Sequence, residues 1–97
     1  MATMNASQYT EQAELLKALA HPVRLCIVRG LSEMATSCNV SYLQECLSLP
    51  QSTVSQHLQK LRAAGIIEAK RQGLEVYYQV KNETVRRILP YLFETTS

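Results

Sequence analysis

Apolar side chains return at helical intervals almost as soon as the chain begins. After a small, polar and frayed start over residues 1–6, Ala13, Leu15, Leu16, Leu19 and Ala20 form a stripe that starts near Tyr9. It stops at His21-Pro22, because proline drives the residue before it out of helical geometry. Pro22 suits the first turn of the next helix, where a missing N–H costs nothing. From there Val23, Cys26, Ile27 and Leu31 fall on one face, predicting a second helix to about Met34. "ATSCN" reads as a loop. Val40, Leu43 and Leu47 then mark a short third helix that ends before Leu49-Pro50. The next helical pattern follows within a few residues, and two short helices joined so tightly are the signature of a helix-turn-helix.

The fourth pattern, "PQSTVSQHLQKLRAAG", separates its two faces sharply. Val54, Leu58 and Leu61 stand at i, i+4 and i+7 and form the inward stripe, with Gly65 as the stop. Ser52, Ser55, Gln56 and Gln59 then occupy the outward face by the same period. Past Gly65 the period drops to two. "IIEAKRQGLEVYYQV" holds two strand-prone runs separated by Arg71-Gln72-Gly73, with Glu75, Tyr77 and Gln79 alternating against Leu74, Val76, Tyr78 and Val80. Val85, Ile88, Leu89 and Leu92 restore a helical stripe, which Pro90 is expected to kink or split. The predicted fold is mainly α with one small β-hairpin, a winged helix-turn-helix in the order α-α-α-α-β-β-α.

Ninety-seven residues, 46% of them hydrophobic, make one domain spanning 1–97. The net charge of +2 is too small to name a partner, but its distribution is informative. Residues 1–50 carry three basic and four acidic side chains, residues 51–81 five and two, and residues 82–97 two and two. Positive charge therefore gathers in and behind the fourth helix. An outward face of uncharged hydrogen-bonding groups is what base edges in a DNA major groove require: carboxamides pair with adenine, hydroxyls serve several bases, and the Thr53 methyl matches a thymine methyl. Lys60, Arg62, Lys70 and Arg71 are placed for phosphates. The competing reading, a winged helix that docks proteins through the same face without reading sequence, differs in its expected salt dependence.

"LLKALAHPVRLCIVRGL" followed by "LPQSTVSQHLQKLRAAGIIEAKRQGLEVYYQV" resembles the ArsR/SmtB family of winged-helix repressors over about residues 12–89. The shared elements are "HPVRL", "QSTVSQHL", "LRAAGII" and "RQGLEVYYQV". The resemblance implies a homodimer, held by the first helix and by a last helix within 82–97, on an imperfect palindrome near a promoter. It implies Gln51, Ser52, Thr53, Ser55, Gln56 and His57 in the groove, with Arg71 and Gln72 reaching the backbone or minor groove. Gln59, Lys60, Arg62 and Lys70 complete the expected DNA contacts. The leucine-rich stripes also point to a partner, since they exceed what one thin domain covers. Leu15, Leu16 and Leu19 from the first helix and Val85, Ile88, Leu89 and Leu92 from the last are the expected dimer residues.

Many members of that family sense metals, yet the matching positions here are poor ligands. Asn39 and Ser41 stand where the third-helix thiolates would be, and Asn82, Thr84 and Thr95 where the last-helix site would be. No metal site and no cofactor are expected. With no Asp in the chain and only two His, no acid, base and nucleophile set converges, so an enzyme is not expected. His21 is expected to orient the start of the second helix.

Cys26, Cys38 and Cys46 lack disulfide or zinc spacing and read as reduced thiols. Cys26 is expected in the buried stripe. Cys38 and Cys46 lie roughly 12 Å apart if both are helical, too far to bond, so a disulfide would need Cys38 outside the helix, paired with Cys46, Cys26 or another chain. Thiol-based sensing is a hypothesis for these three residues. No secretory or membrane pattern is seen, and a cytoplasmic location is expected.

Overall fold

Pro22 divides the first two helices, and His21 supplies the cap between them. In the computed structural model, which describes residues 5–33 and 38–94, α1 spans Thr10–Leu19 and α2 spans Pro22–Glu33. A single 3₁₀ turn, Ala6–Tyr9, precedes α1 and is capped by the Asn5 side chain. His21 Nδ1 accepts the Val23 N–H at 3.1 Å, satisfying one of the amides that a helix start leaves without an intrahelical partner. Met34, the expected end of α2, lies outside the described residues.

A two-residue strand, β1 (Cys38–Asn39), leads into α3 (Val40–Leu47), where a loop was expected. Asn39 is extended and its Oδ1 accepts the Tyr42 N–H at 3.0 Å, an N-cap that sets where α3 begins. Ser48 then takes left-handed backbone at φ 56° and, with Leu49 and Pro50, forms the three-residue turn into α4 (Gln51–Ala63). Pro50, with extended backbone, is the N-cap of α4 and ends the turn.

At the far end of α4 the Ile66 N–H bonds the Leu61 carbonyl and the Gly65 N–H bonds that of Arg62, the paired bonds of a Schellman motif. Gly65 sits at φ 74°, where a side chain would be strained. The wing follows as β2 (Ile67–Gln72) and β3 (Glu75–Val80), paired from Ile67↔Val80 to Gln72↔Glu75. The turn is therefore Gly73-Leu74, not Arg71-Gln72-Gly73. Arg71 and Gln72 are strand residues opposite Val76 and Glu75. Leu74, assigned to the inward alternation from sequence, is fully exposed at the tip. β1 adds to the other edge of β3 through Cys38↔Tyr78 and Asn39↔Tyr77, giving sheet order β1-β3-β2.

The last helix, α5 (Glu83–Glu94), is capped by Asn82 Oδ1 on the Val85 N–H at 2.9 Å. Pro90 lies inside it without splitting it into two elements, contrary to one sequence expectation. The core draws on every helix and on the hairpin: Leu19, Ile27, Val28, Leu31, Leu43, Val54, Leu58, Leu61, Ile66, Ile67, Val80, Val85 and Leu89. Fully burying such a side chain stabilises by roughly 1.5–3 kcal/mol. No helix of the described residues is long and apolar enough to cross a membrane.

Two buried stripes differ from the sequence reading. In α2 the inward arc is Ile27, Val28 and Leu31, and Cys26 is exposed. The helix is rotated so that Arg24, one turn before Val28, lies toward its neighbours with its Nε bonded to the Ala18 carbonyl. Of the seven expected dimer residues, Leu19, Val85 and Leu89 are already buried within the protomer. Leu15 and Ile88 are half-buried, while Leu16 (58%) and Leu92 (50%) are exposed.

Candidate nucleic-acid interface

The inward stripe of α4 is sealed, with Val54, Leu58 and Leu61 at most 1% exposed. That orientation turns Gln51, Ser52, Ser55, Gln56 and Gln59 out to solvent and leaves Thr53 half-buried. No acidic side chain lies on α4, and its last turn carries Lys60 and Arg62, both exposed. The wing continues the basic edge with Lys70, Arg71 and Gln72, all exposed. One helix thus presents donors and acceptors without charge along its outer face and places cations at its end and on the hairpin beyond it. Such a face can bond base edges, while the cations meet phosphates.

Lys70 is not wholly free for a phosphate. Its Nζ lies 3.6 Å from Glu68 Oε1, and the Gln79 amide donates to the same oxygen at 2.6 Å. The Gln79 bond, helped by Lys70 and Lys81, holds the Glu68 carboxyl below the usual carboxylate range. Exposed pairs of this kind are weak, so Lys70 can exchange its partner at little cost.

His57 departs from the expected groove set. It is half-buried, its ring centroid 4.5 Å from that of His21, and the Arg24 guanidinium lies 3.4 Å from its Nδ1. Sequence reasoning missed Arg24, whose partners lie six and 33 residues away. The signal was present in "HPVRL", where an arginine falls at helical spacing with Ile27, Val28 and Leu31.

Two of the five positions weighed as metal ligands cap helices. Asn39 caps α3 and Asn82 caps α5, whereas Ser41 and Thr84 are exposed and Thr95 lies outside the described residues. Among the described residues no three His, Cys, Asp or Glu side chains gather. Cys26 and Cys46 are exposed and line one cavity of about 400 Å³ between α2 and α3, together with Ile27, Gly30, Tyr42 and Leu47. Arg29 pairs with Glu33 at 2.9 Å and lies 4.4 Å over the Phe93 ring, joining α2 to α5.

Tight turn, outward polar helix and basic hairpin together define a winged helix-turn-helix of the DNA-binding class. A family model described as a helix-turn-helix domain matches residues 19–69. The chain belongs to the ArsR/SmtB family of winged-helix transcriptional repressors. It is similar to the transcriptional repressor PagR of Bacillus anthracis, at 48% identity over 82 residues, which are 84% of this chain and 81% of that protein. The crystal structure of PagR superposes with a TM-score of 0.80, covering 91% of this chain and 99% of PagR at 44% identity. The repressor BigR of Xylella fastidiosa gives 0.83 at 32% identity, covering 95% and 92%. A homodimeric winged helix-turn-helix DNA-binding domain from Mycobacterium bovis gives 0.82 at 28% identity, covering 99% and 90%.

Proposed function

We propose that this chain is a homodimeric, sequence-specific repressor in which two copies of α4 enter successive major grooves of an imperfect palindrome at a promoter. Gln51, Ser52, Thr53, Ser55, Gln56 and Gln59 read base edges, while Lys60, Arg62, Lys70, Arg71 and Gln72 hold the backbone. The observation that carries this reading is the outward, uncharged polar face of α4 opposite sealed Val54, Leu58 and Leu61. The dimer face is the part of the expected set left open, Leu16 and Leu92, extended by Tyr9 and Tyr91, which are 53% and 73% exposed.

Footprinting the DNA upstream of the chain's own gene, followed by a salt titration on that fragment and on random duplex, tests the reading. Four phosphate-binding cations on each protomer predict log K falling against log salt with a slope of about −7. A shallow slope, with equal affinity for both duplexes, would instead favour a protein-docking winged helix. Redox control of binding is assigned to the thiols Cys26, Cys38 and Cys46, of which Cys26 and Cys46 are exposed. Peroxide that leaves DNA affinity unchanged in the wild type and in a triple Cys→Ser variant removes that assignment.

A further inference from the structure

His57 sits in the middle of the base-reading sequence but faces the protein. His21 Nδ1 accepts the Val23 N–H at 3.1 Å, and the guanidinium Nη1 of Arg24 lies 3.4 Å from His57 Nδ1. A backbone amide and a guanidinium can only donate. Each contact is a hydrogen bond only where Nδ1 offers a lone pair, which places the ring proton on Nε2. Arg24 is anchored in turn, its Nε donating to the Ala18 carbonyl in the last turns of α1. The rings of His21 and His57 meet at 4.5 Å with a 50° tilt. The end of α1, the start of α2 and the middle of α4 are thus joined at one point.

We propose that His21, Arg24 and His57 are positioning residues that set α4 against the start of α2, and that the joint holds only while the His57 imidazole is neutral. This inference rests on the DNA-binding reading for its functional consequence, though not for its geometry. Protonation turns the His57 Nδ1 from an acceptor into a donor that faces the Arg24 guanidinium. The groups whose charge acts on His57 are His21 and Arg24 at the start of α2 and Lys60 on its own helix, all basic, while Glu14 and Lys17 of α1 line the cleft that Arg24 and Lys60 share. Removal from water, followed by repulsion from His21, Arg24 and Lys60, holds the His57 imidazole below its ordinary range. A lowered imidazole contributes stability above its ordinary value and loses it as pH falls below that value. Acidification therefore releases α4 while adding positive charge near DNA, so the two effects on affinity have opposite sign and can be told apart.

The test compares the full-length wild type with His21→Asn/His57→Gln, whose carboxamides keep an acceptor at every pH. The probe is a duplex selected from a random library by the wild type at about pH 7.5. Between that pH and about 5.5, wild-type affinity should fall by about fivefold or more relative to the variant, the change that losing one hydrogen bond brings. Imidazole nitrogen shifts should show unprotonated Nδ1 on both rings at neutral pH. Amides of α4 should exchange faster on acidification in the wild type alone, after correction for intrinsic rates. Matching pH responses in the two proteins overturn the proposal, as does an Nδ1–H tautomer on either ring. So does wild-type affinity that rises more steeply than the variant's, because that marks an imidazolium bound to phosphate. If neither protein binds any duplex, the DNA reading fails by itself, and the shift and exchange measurements still decide the joint. Should the double variant unfold, His57→Gln alone, which removes the titrating group of α4 and leaves the His21 cap in place, supplies the comparison.

Discussion

The Asn39 side-chain amide donates to Glu75 at 2.6 Å while its carbonyl oxygen caps α3. One carboxamide thereby fixes the start of the helix-turn-helix and fastens it to the wing strand that begins at Glu75. Asn39→Ala removes both bonds and should cost about 1–2 kcal/mol in chemical denaturation, most of it from the missing cap. Glu75→Gln retains an acceptor and should cost less than about 0.5 kcal/mol, because the pair is exposed. Equal losses in the two variants would assign the stabilisation to the wing bond instead.

Ser48 pays for the tight turn with left-handed backbone at φ 56°. A glycine there carries no Cβ penalty but widens the unfolded ensemble, and the two effects oppose each other. The penalty of about 1–2 kcal/mol for an L-residue is the larger, so Ser48→Gly should raise the unfolding free energy by a net ~0.5 kcal/mol. Ser48→Val should lower it by more than ~1 kcal/mol, since a β-branched side chain tolerates this region worst. Paired denaturant titrations settle the order.

The exposed face of α4 and the wing should fail in different ways. Ser55→Ala with Gln56→Ala should remove preference among duplexes, at roughly 1–3 kcal/mol for each base edge no longer read. Arg71→Ala should weaken all duplexes alike and reduce the salt slope by about one per protomer. A binding panel of the selected duplex, single-base variants and random DNA distinguishes the two. Specificity surviving the α4 change would show that base reading lies elsewhere.

Leu16 tests the dimer face without disturbing the protomer. It is 58% exposed, so Leu16→Glu should leave the helical circular dichroism signal intact and shift the protein to monomer in analytical ultracentrifugation. Its DNA affinity should then drop toward that of a single half-site. By contrast, Val85→Glu should unfold the protomer, because Val85 has no exposed surface.

The sequence made the outward face of α4 legible because three aliphatic residues at i, i+4 and i+7 leave only one way to turn that helix. Its limits appear where interacting residues are distant. His57 lies at the border of the two faces, and local spacing cannot show that His21 waits 36 residues earlier. Cys26 shares helical spacing with Val23, Ile27 and Leu31, and spacing alone cannot show that the helix turns Arg24 inward to partners at Ala18 and His57. β1 is only two residues long and is defined by pairing with Tyr77 and Tyr78, which no periodicity can signal. Arg71-Gln72 looked like a turn because the residues are polar, yet a solvent-facing ladder accepts polar residues readily.

Among the described residues the interior contains no polar or charged side chain, only hydrocarbon. Brine strong enough to strip the protein from a duplex therefore has no internal ion pair to weaken. Dissociation and melting answer to separate variables, and a molecule eluted from a DNA column at high ionic strength should come off folded and ready to rebind.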